Sequence, residues 1–265
     1  MGTTPKGGEV RIEVRDTTGC VIISNPAKRN AMTLAMWEAF TAGIAALDAD
    51  PGVRVIVVQG DGSDAFVSGA DISQFEGTRT TVEDQQAYDR TAEDAYNAPG
   101  RAGKPVVASI RGICIGGGLG LAAACDIRVC SSDARFRMPA AKLGLGYSVD
   151  GVMRFADLVG PMSVLDLFMS ARMFGAEEAL RMGFVTKVKS PDRLEEEVAE
   201  LASLIAGNAP LTLRAVKLAL RAWHRRDASS IGDARKAVLA CAQSGDYLEG
   251  QQAFREKRPP IFQGN

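Results

Sequence analysis

A chain of 265 residues with 31 Lys and Arg against 32 Asp and Glu carries a formal net charge of −1, so no whole-molecule field draws it to nucleic acid or to an anionic membrane. It is long enough to bury a substantial apolar core in one large domain, or in a core with a smaller appendage, and no run reaches the roughly 18 apolar residues of a membrane span. Its five cysteines are odd in number and form no Cys-x-x-Cys, which together with an opening MGTTPKGGEV that lacks an apolar targeting segment leads us to expect reduced core thiols in a cytoplasmic protein.

Val10, Ile12 and Val14 alternate with charged residues, Thr17, Thr18 and Gly19 supply a turn, and Cys20 to Ile23 resumes an apolar run, which predicts a strand pair. After the turn at Asn25-Pro26, Leu34, Trp37, Phe40, Ile44 and Leu47 recur at helical spacing, and Asp50-Pro51-Gly52 stops that helix. The β-branched run from Val53 to Val58 predicts a strand covered on both faces, and Pro105 to Ile115 repeats that character. A polar, helix-like stretch covers Thr78 to Asn97. Asp126 to Cys130 and Phe184 to Val188 are further strand candidates, with a helical run from Met162 to Arg172 between them. Strands alternating with helices predict an α/β fold. From about Pro191 the texture changes: Leu194 to Ile205 and Leu211 to Trp223 are amphipathic and helical, and no strong strand follows. The expected division is a β/α core over 1–195 and a helical segment over 196–265.

Two stretches carry chemistry. Gly60, Gly62 and Ala65 follow a strand at the spacing of a dinucleotide-binding loop, with Asp84 about twenty residues on. Asp61 and Asp64 inside that loop, and no helix after it, count against a pyrophosphate site. The stretch RGICIGGGLGLAAACDI, Arg111 to Ile127, holds Gly116, Gly117, Gly118 and Gly120 just before an alanine-rich helix, and no Lys-Ser or Lys-Thr follows to make a nucleotide-triphosphate loop. A helical glycine costs about 0.5–1 kcal/mol relative to alanine, so the cluster serves another purpose. We take that purpose to be backbone N–H groups facing a ligand. With the turn Phe66 to Ile72, the sequence offers two glycine-containing turns after apolar strands, the components of an oxyanion hole that needs no side chain. The lone His224 has no nearby nucleophile and is expected at the surface, as are Arg221, Arg225 and Arg226. One histidine and scattered cysteines argue against a metal.

The combination of NPAKRNAM (Asn25 to Met32), SGADI (Ser68 to Ile72), GICIGGGLGLAAACDIRV (Gly112 to Val129) and FREKRPPIF (Phe254 to Phe262) resembles the crotonase superfamily, the enoyl-CoA hydratase/isomerase family. The resemblance runs from about Val10 to Phe262. It implies a spiral of ββα units followed by a helical trimerisation segment, with trimers often paired into hexamers. It also implies an acyl-CoA thioester as substrate and no separate cofactor. Carried over by position, it puts the oxyanion donors on the amides of Ser68 and Gly117, and the nucleotide contacts around Lys28, Arg29, Ala31, Ala70, Asp71 and Ile72, with Lys257 reaching a neighbouring subunit's nucleotide.

Hydratases of this family use two glutamates, and this chain has Gly120 and Ala140 at those positions. Each acid-base group contributes about a hundred- to ten-thousand-fold, so two-glutamate hydration is not expected here. Tyr147 and Asp150, in LGLGYSVDG, are the candidate substitutes. The Leu-Gly-x-x-Tyr-x-x-x-Gly arrangement resembles methylmalonyl-CoA decarboxylases, which carry a histidine where this chain has Ala70. Three functions follow: enoyl-CoA lyase or isomerase chemistry without the glutamate pair, decarboxylation of a malonyl-type thioester against an apolar wall of Ala140 and Leu145, or a catalytically silent acyl-CoA-binding protein.

Overall fold

The computed structural model describes residues 8–74, 81–225 and 227–265. The first strands, β1 (Glu9–Arg15) and β2 (Thr18–Ser24), form an antiparallel hairpin. Its turn is Asp16-Thr17, with Asp16 at φ 52°, so Thr18 and Gly19, expected in the turn, already pair in β2. Helix α1 (Leu34–Ala49) starts at Thr33, whose hydroxyl accepts the Met36 amide, and buries Trp37, Phe40, Ile44 and Leu47.

From there the chain deals strands alternately to two sheets. β3 (Val55–Gly60) joins the large sheet and β4 (Ala65–Val67) the small one. The polar stretch is α2 (Val82–Arg101), opened by a capping box in which Thr81 and Asp84 satisfy each other's amides. Residues 78–80 of that expected helix lie outside the described residues. β5 (Val106–Ile110) returns to the large sheet and β6 (Ile113–Ile115) to the small. The single strand expected over Pro105 to Ile115 is therefore two. Gly112 divides it at φ 62°, where a Cβ would lie 2.2 Å from the Asp64 carbonyl oxygen.

The glycine cluster opens α3 (Gly117–Ala124), after which β7 (Ile127–Ser131) and β8 (Arg135–Arg137) repeat the division. Three helices follow, α4 (Ala140–Leu143), α5 (Val149–Val159) and α6 (Pro161–Ser170). β9 (Phe174–Gly175) closes the small sheet, and α7 (Ala176–Arg181) leads to β10 (Lys187–Lys189) at the edge of the large one, a little beyond the expected Phe184 start. The remainder is helical: α8 (Leu194–Ala206), α9 (Pro210–Arg225), α10 (Ala228–Ala242) and α11 (Gly245–Glu256).

The large sheet runs β1-β2-β3-β5-β7-β10 and the small one β4-β6-β8-β9. This is the spiral of ββα units that the sequence led us to expect. In the large sheet alternate residues face opposite cores: Val21, Ile23, Ile56 and Val58 point toward α1 and the small sheet, while Cys20, Ile22, Val55 and Val57 meet Leu194, Val198, Ala202 and Ile205 of α8. Burial on both faces explains the continuous β-branched runs. The expected junction at 195/196 falls in the first turn of α8, so that helix is a layer of the core.

Candidate active site

The segment between β2 and α1 folds around two buried asparagines. The Asn25 side chain donates to the Ala31 carbonyl, and Asn30 accepts the Asn25 amide while donating to the carbonyls of Asp61 and Ala65. Arg29 and Asn30 both take left-handed backbone, which asparagine tolerates better than most residues. Asn30→Ala leaves carbonyls and an amide unpaired in a buried place, each costing about 1–3 kcal/mol. Urea denaturation is expected to show a loss of at least that size.

The same segment claims one of the expected oxyanion donors. The Ser68 amide donates to the Arg29 carbonyl at 3.1 Å, and its hydroxyl donates to the Lys28 carbonyl at 3.0 Å. Ser68 thus fastens this loop to β4, and its N–H is not free for a ligand. The next peptides behave differently. The Gly69 carbonyl accepts from Met32 and the Asp71 amide donates to the Met32 carbonyl. Because a trans peptide points its N–H opposite its C=O, the Ala70 amide is turned away from Met32. Neither the Ala70 nor the Gly117 amide has an acceptor among the described residues.

Glycine brings these two amides into one neighbourhood. A Cβ on Gly118 would lie 2.1 Å from the Val67 carbonyl oxygen, so α3 packs on the end of β4 backbone to backbone. A Cβ on Gly69 would lie 3.8 Å from the Gly117 nitrogen, and Gly69 sits at φ 111°. The first amide of α3 therefore opens beside the Ser68 to Ala70 turn, with the positive end of the helix dipole behind it.

An aromatic wall stands against α3. A Cβ on Gly117 would lie 2.9 Å from both Trp37 and the Tyr96 hydroxyl, and one on Gly120 would lie 3.0 Å from the Tyr147 hydroxyl. The Tyr147 phenol thus occupies the space that a side chain at position 120 would need. Its ring packs edge-on against Phe155 and Phe168, and its hydroxyl has no hydrogen-bond partner among the described residues. Burial pushes its pKa well above the ordinary phenol value, against a smaller opposing effect of Arg154, so Tyr147 is a neutral O–H donor. Asp150 lies in the first turn of α5, one position beyond the first residue after the Ser148 cap. Its exposed carboxylate lines a narrow gap of about 10 Å³ together with Gly120, Tyr147 and Arg154. Ala140 is half-buried against the core, but Leu145 is 41% exposed. The apolar wall expected from that pair is thus Ala140 without a buried Leu145.

Lys28 donates to Asp71 and to Ser73, each at 2.7 Å. Burial would raise the Asp71 carboxyl, but the bonds from Lys28 and Ser73 outweigh it and hold the pKa below the usual value. Ala31 and Asp71 are buried, whereas Arg29 and Ile72 are exposed beside them. The structure therefore brings together Lys28, Arg29, Ala31, Ala70, Asp71 and Ile72. Lys257 stands apart, exposed at the C-cap of α11. His224 pairs its Nδ1 with Asp157 at 2.7 Å on the surface. Arg226 lies outside the described residues. Trp37 and Tyr96, which form the wall, carried no functional signal in the sequence, because helical spacing marks them only as residues that pack.

A family model described as Enoyl-CoA hydratase/isomerase matches residues 14–265. A crotonyl-CoA hydratase of Syntrophomonas wolfei subsp. wolfei is 29% identical over 252 residues, 95% of this chain and 96% of that protein. A carnitinyl-CoA dehydratase of Salmonella typhi is 37% identical over 229 residues, 81% of this chain and 83% of that one. The crystal structure of an enoyl-CoA hydratase/carnithine racemase from Magnetospirillum magneticum superposes with a TM-score of 0.90 at 29% identity, covering 97% of this chain and 96% of that one.

Proposed function

The chain belongs to the enoyl-CoA hydratase/isomerase family, and from that premise we propose that it converts an acyl-CoA thioester through an enolate held by the main-chain amides of Ala70 and Gly117. The observation that carries this is the peptide after Gly69: its carbonyl is bound by Met32, so its N–H turns away, beside the N-terminus of α3. Ala70 replaces Ser68 in the expected pair because the Ser68 amide is already bound. Removing one such donor typically costs about 2.7–4 kcal/mol of transition-state stabilisation, so a site made mainly of backbone still catalyses. The nucleotide would lie against Lys28, Arg29, Ala31, Asp71 and Ile72, and the coenzyme A of the substrate is the sole cofactor required.

With glycine and alanine where hydratases of the family carry glutamates, the chemistry supported best is one in which no carboxylate removes a proton. Loss of carbon dioxide from a malonyl-type thioester meets that condition. The bond from the α-carbon to the carboxylate breaks, its electron pair passes into the thioester as the enolate, and carbon dioxide leaves. The Tyr147 hydroxyl then delivers its proton to the α-carbon and regains one from solvent. A second reading, lyase or isomerase chemistry with Asp150 as the base, is favoured by the carboxylate's place on the same small gap as Tyr147.

Exposed Trp223, Leu239 and Phe254 on α9, α10 and α11 suit a homotrimer or a dimer of trimers. Among the described residues no helix is long and apolar enough to cross a membrane. Cys114, Cys125 and Cys130 are free and buried, which suits a reducing cytoplasm. Purified protein is to be assayed with methylmalonyl-CoA, ethylmalonyl-CoA and crotonyl-CoA. Turnover of a malonyl-type thioester is the expected result. Turnover of crotonyl-CoA alone replaces decarboxylation with the Asp150 chemistry, and tight coenzyme A binding without any turnover overturns the enzyme.

A further inference from the structure

Behind the aromatic wall lies a cavity of about 560 Å³ that the proposed reaction does not use. It shares Tyr96, Ala123, Asp150 and Arg154 with the narrow gap at Gly120 and Tyr147, so the two adjoin. Ala123 and Ala124 form part of its wall. Ala123 and Ala124 lie about 9 and 10.5 Å beyond Gly117 along the helix axis, at 1.5 Å per residue. A thioester held at the first amide of α3 would thus place the far end of a medium-length acyl chain in this cavity.

The walls are cationic beyond what the protein neutralises. Lys217 is paired with Asp126 and His224 with Asp157, and Arg101 is paired with Asp94. Arg128, Arg154, Arg221 and Arg225 also line the space, and none has a carboxylate within ion-pair distance among the described residues. Arg154 donates only to the Tyr96 carbonyl and the Asn97 side chain. Arg128 is buried and donates to the carbonyls of Ala122, Cys125 and Phe184. Arg221 donates to the Gly100 carbonyl, and burial, then the nearby charge of Arg225, lowers its pKa. Of the described carboxylates that line the space, Asp126 and Asp157 are paired and Asp150 has no ion pair among the described residues. Asp126 acts on Arg128 and Arg221, and Asp227 on Arg225, only from beyond ion-pair distance, so an anion entering the space would still be drawn to these guanidiniums. A planar guanidinium fork matches a carboxylate.

We infer that the preferred substrates are acyl-CoA thioesters whose acyl chain ends in a second carboxylate, received in this cavity by Arg154 with Arg221 and Arg225. The inference rests on the proposed placement of the thioester at Gly117. It sets the substrate class by the end of the chain remote from the reacting bond, where an unsubstituted alkyl end would leave the guanidiniums unmatched.

Calorimetry with suberoyl-CoA and octanoyl-CoA, which differ by the terminal carboxylate, tests this. Suberoyl-CoA is expected to bind at least about tenfold more tightly, the scale of one charge-assisted hydrogen bond. Arg154→Gln and, on the exposed side, Arg225→Gln are each expected to shrink that preference while leaving octanoyl-CoA affinity unchanged. Arg225 makes no ion pair among the described residues, so its variant reports on binding even if Arg154→Gln disturbs the fold. Equal affinity for the two thioesters in the unmodified protein, or a preference that survives in both variants, overturns the inference and leaves the acyl-CoA site standing. Failure of both thioesters and of free coenzyme A to bind overturns the inference and the acyl-CoA reading together.

Discussion

Replacing Tyr147 by phenylalanine is expected to lower kcat by about a hundred- to ten-thousand-fold on whichever thioester the enzyme turns over, with KM nearly unchanged. The variant keeps the ring that packs against Phe155 and Phe168 and removes only a hydroxyl that has no partner among the described residues. Stability by chemical denaturation should therefore move by less than about 1 kcal/mol, since no hydrogen bond is broken. The pH dependence gives a second check. Burial raises the phenol pKa, and the donor is the protonated form, so the Tyr147 contribution is complete at low pH and is lost only as pH climbs through the raised value. The rate ratio between the unmodified enzyme and the variant should stay flat up to about pH 10, the ordinary phenol value. A variant at full rate removes Tyr147 from the chemistry, and a ratio already halved near pH 10 would mean that the group acts as an ordinary phenol.

Gly118→Ala tests the backbone contact that holds the two amides together. Its Cβ would lie 2.1 Å from the Val67 carbonyl oxygen and 2.7 Å from the Val67 Cβ, and neither neighbour is the free end of a flexible side chain. Overpacking of this kind costs about 1–3 kcal/mol or more, relieved by moving α3 off β4. That movement would carry the Gly117 amide away from Ala70. Even the fraction that folds should thus lose about a hundredfold or more in kcat, the cost of one misplaced oxyanion donor. Gly232→Ala in α10 is the control, because a Cβ there meets nothing within 4 Å. It should raise helix stability by about 0.5–1 kcal/mol and leave the rate alone. If Gly118→Ala keeps both stability and rate, the backbone packing of α3 on β4 is not what aligns the site.

Much of the fold was legible because its signals are local. The spacing of Trp37, Phe40, Ile44 and Leu47 marks one buried face of α1 whatever that face meets. Val53 to Val58 read as a strand covered twice, and in the strand that forms, Val55–Gly60, each face does meet its own core. The division of Pro105 to Ile115 was hidden because Val106, Ile110, Ile113 and Cys114 are apolar throughout. The break lies in the conformation of Gly112 and in the close approach of Asp64, which is far from it in sequence. The junction expected at 195/196 falls in the first turn of α8, which packs on the large sheet, and an amphipathic helix does not state which surface it covers.

The site divides in the same way. Glycine placement is a property of the chain itself and points to main-chain amides facing a ligand, whereas the significance of Gly120 and Ala140 comes from the resemblance, which implies glutamates at those positions in hydratases. Which amide faces the ligand is decided by the direction of successive peptide planes. That direction follows from Arg29 and Met32 pairing with the 68–71 turn, so Ser68 is bound and Ala70 is left open. The Tyr147 hydroxyl at Gly120, and Arg154 with Arg221 and Arg225 around one cavity, likewise join residues distant along the chain. Periodicity records which side of an element is apolar, because that depends on neighbours within a few residues. Which groups converge on a common point depends on how whole elements pack, and only the folded molecule holds that information.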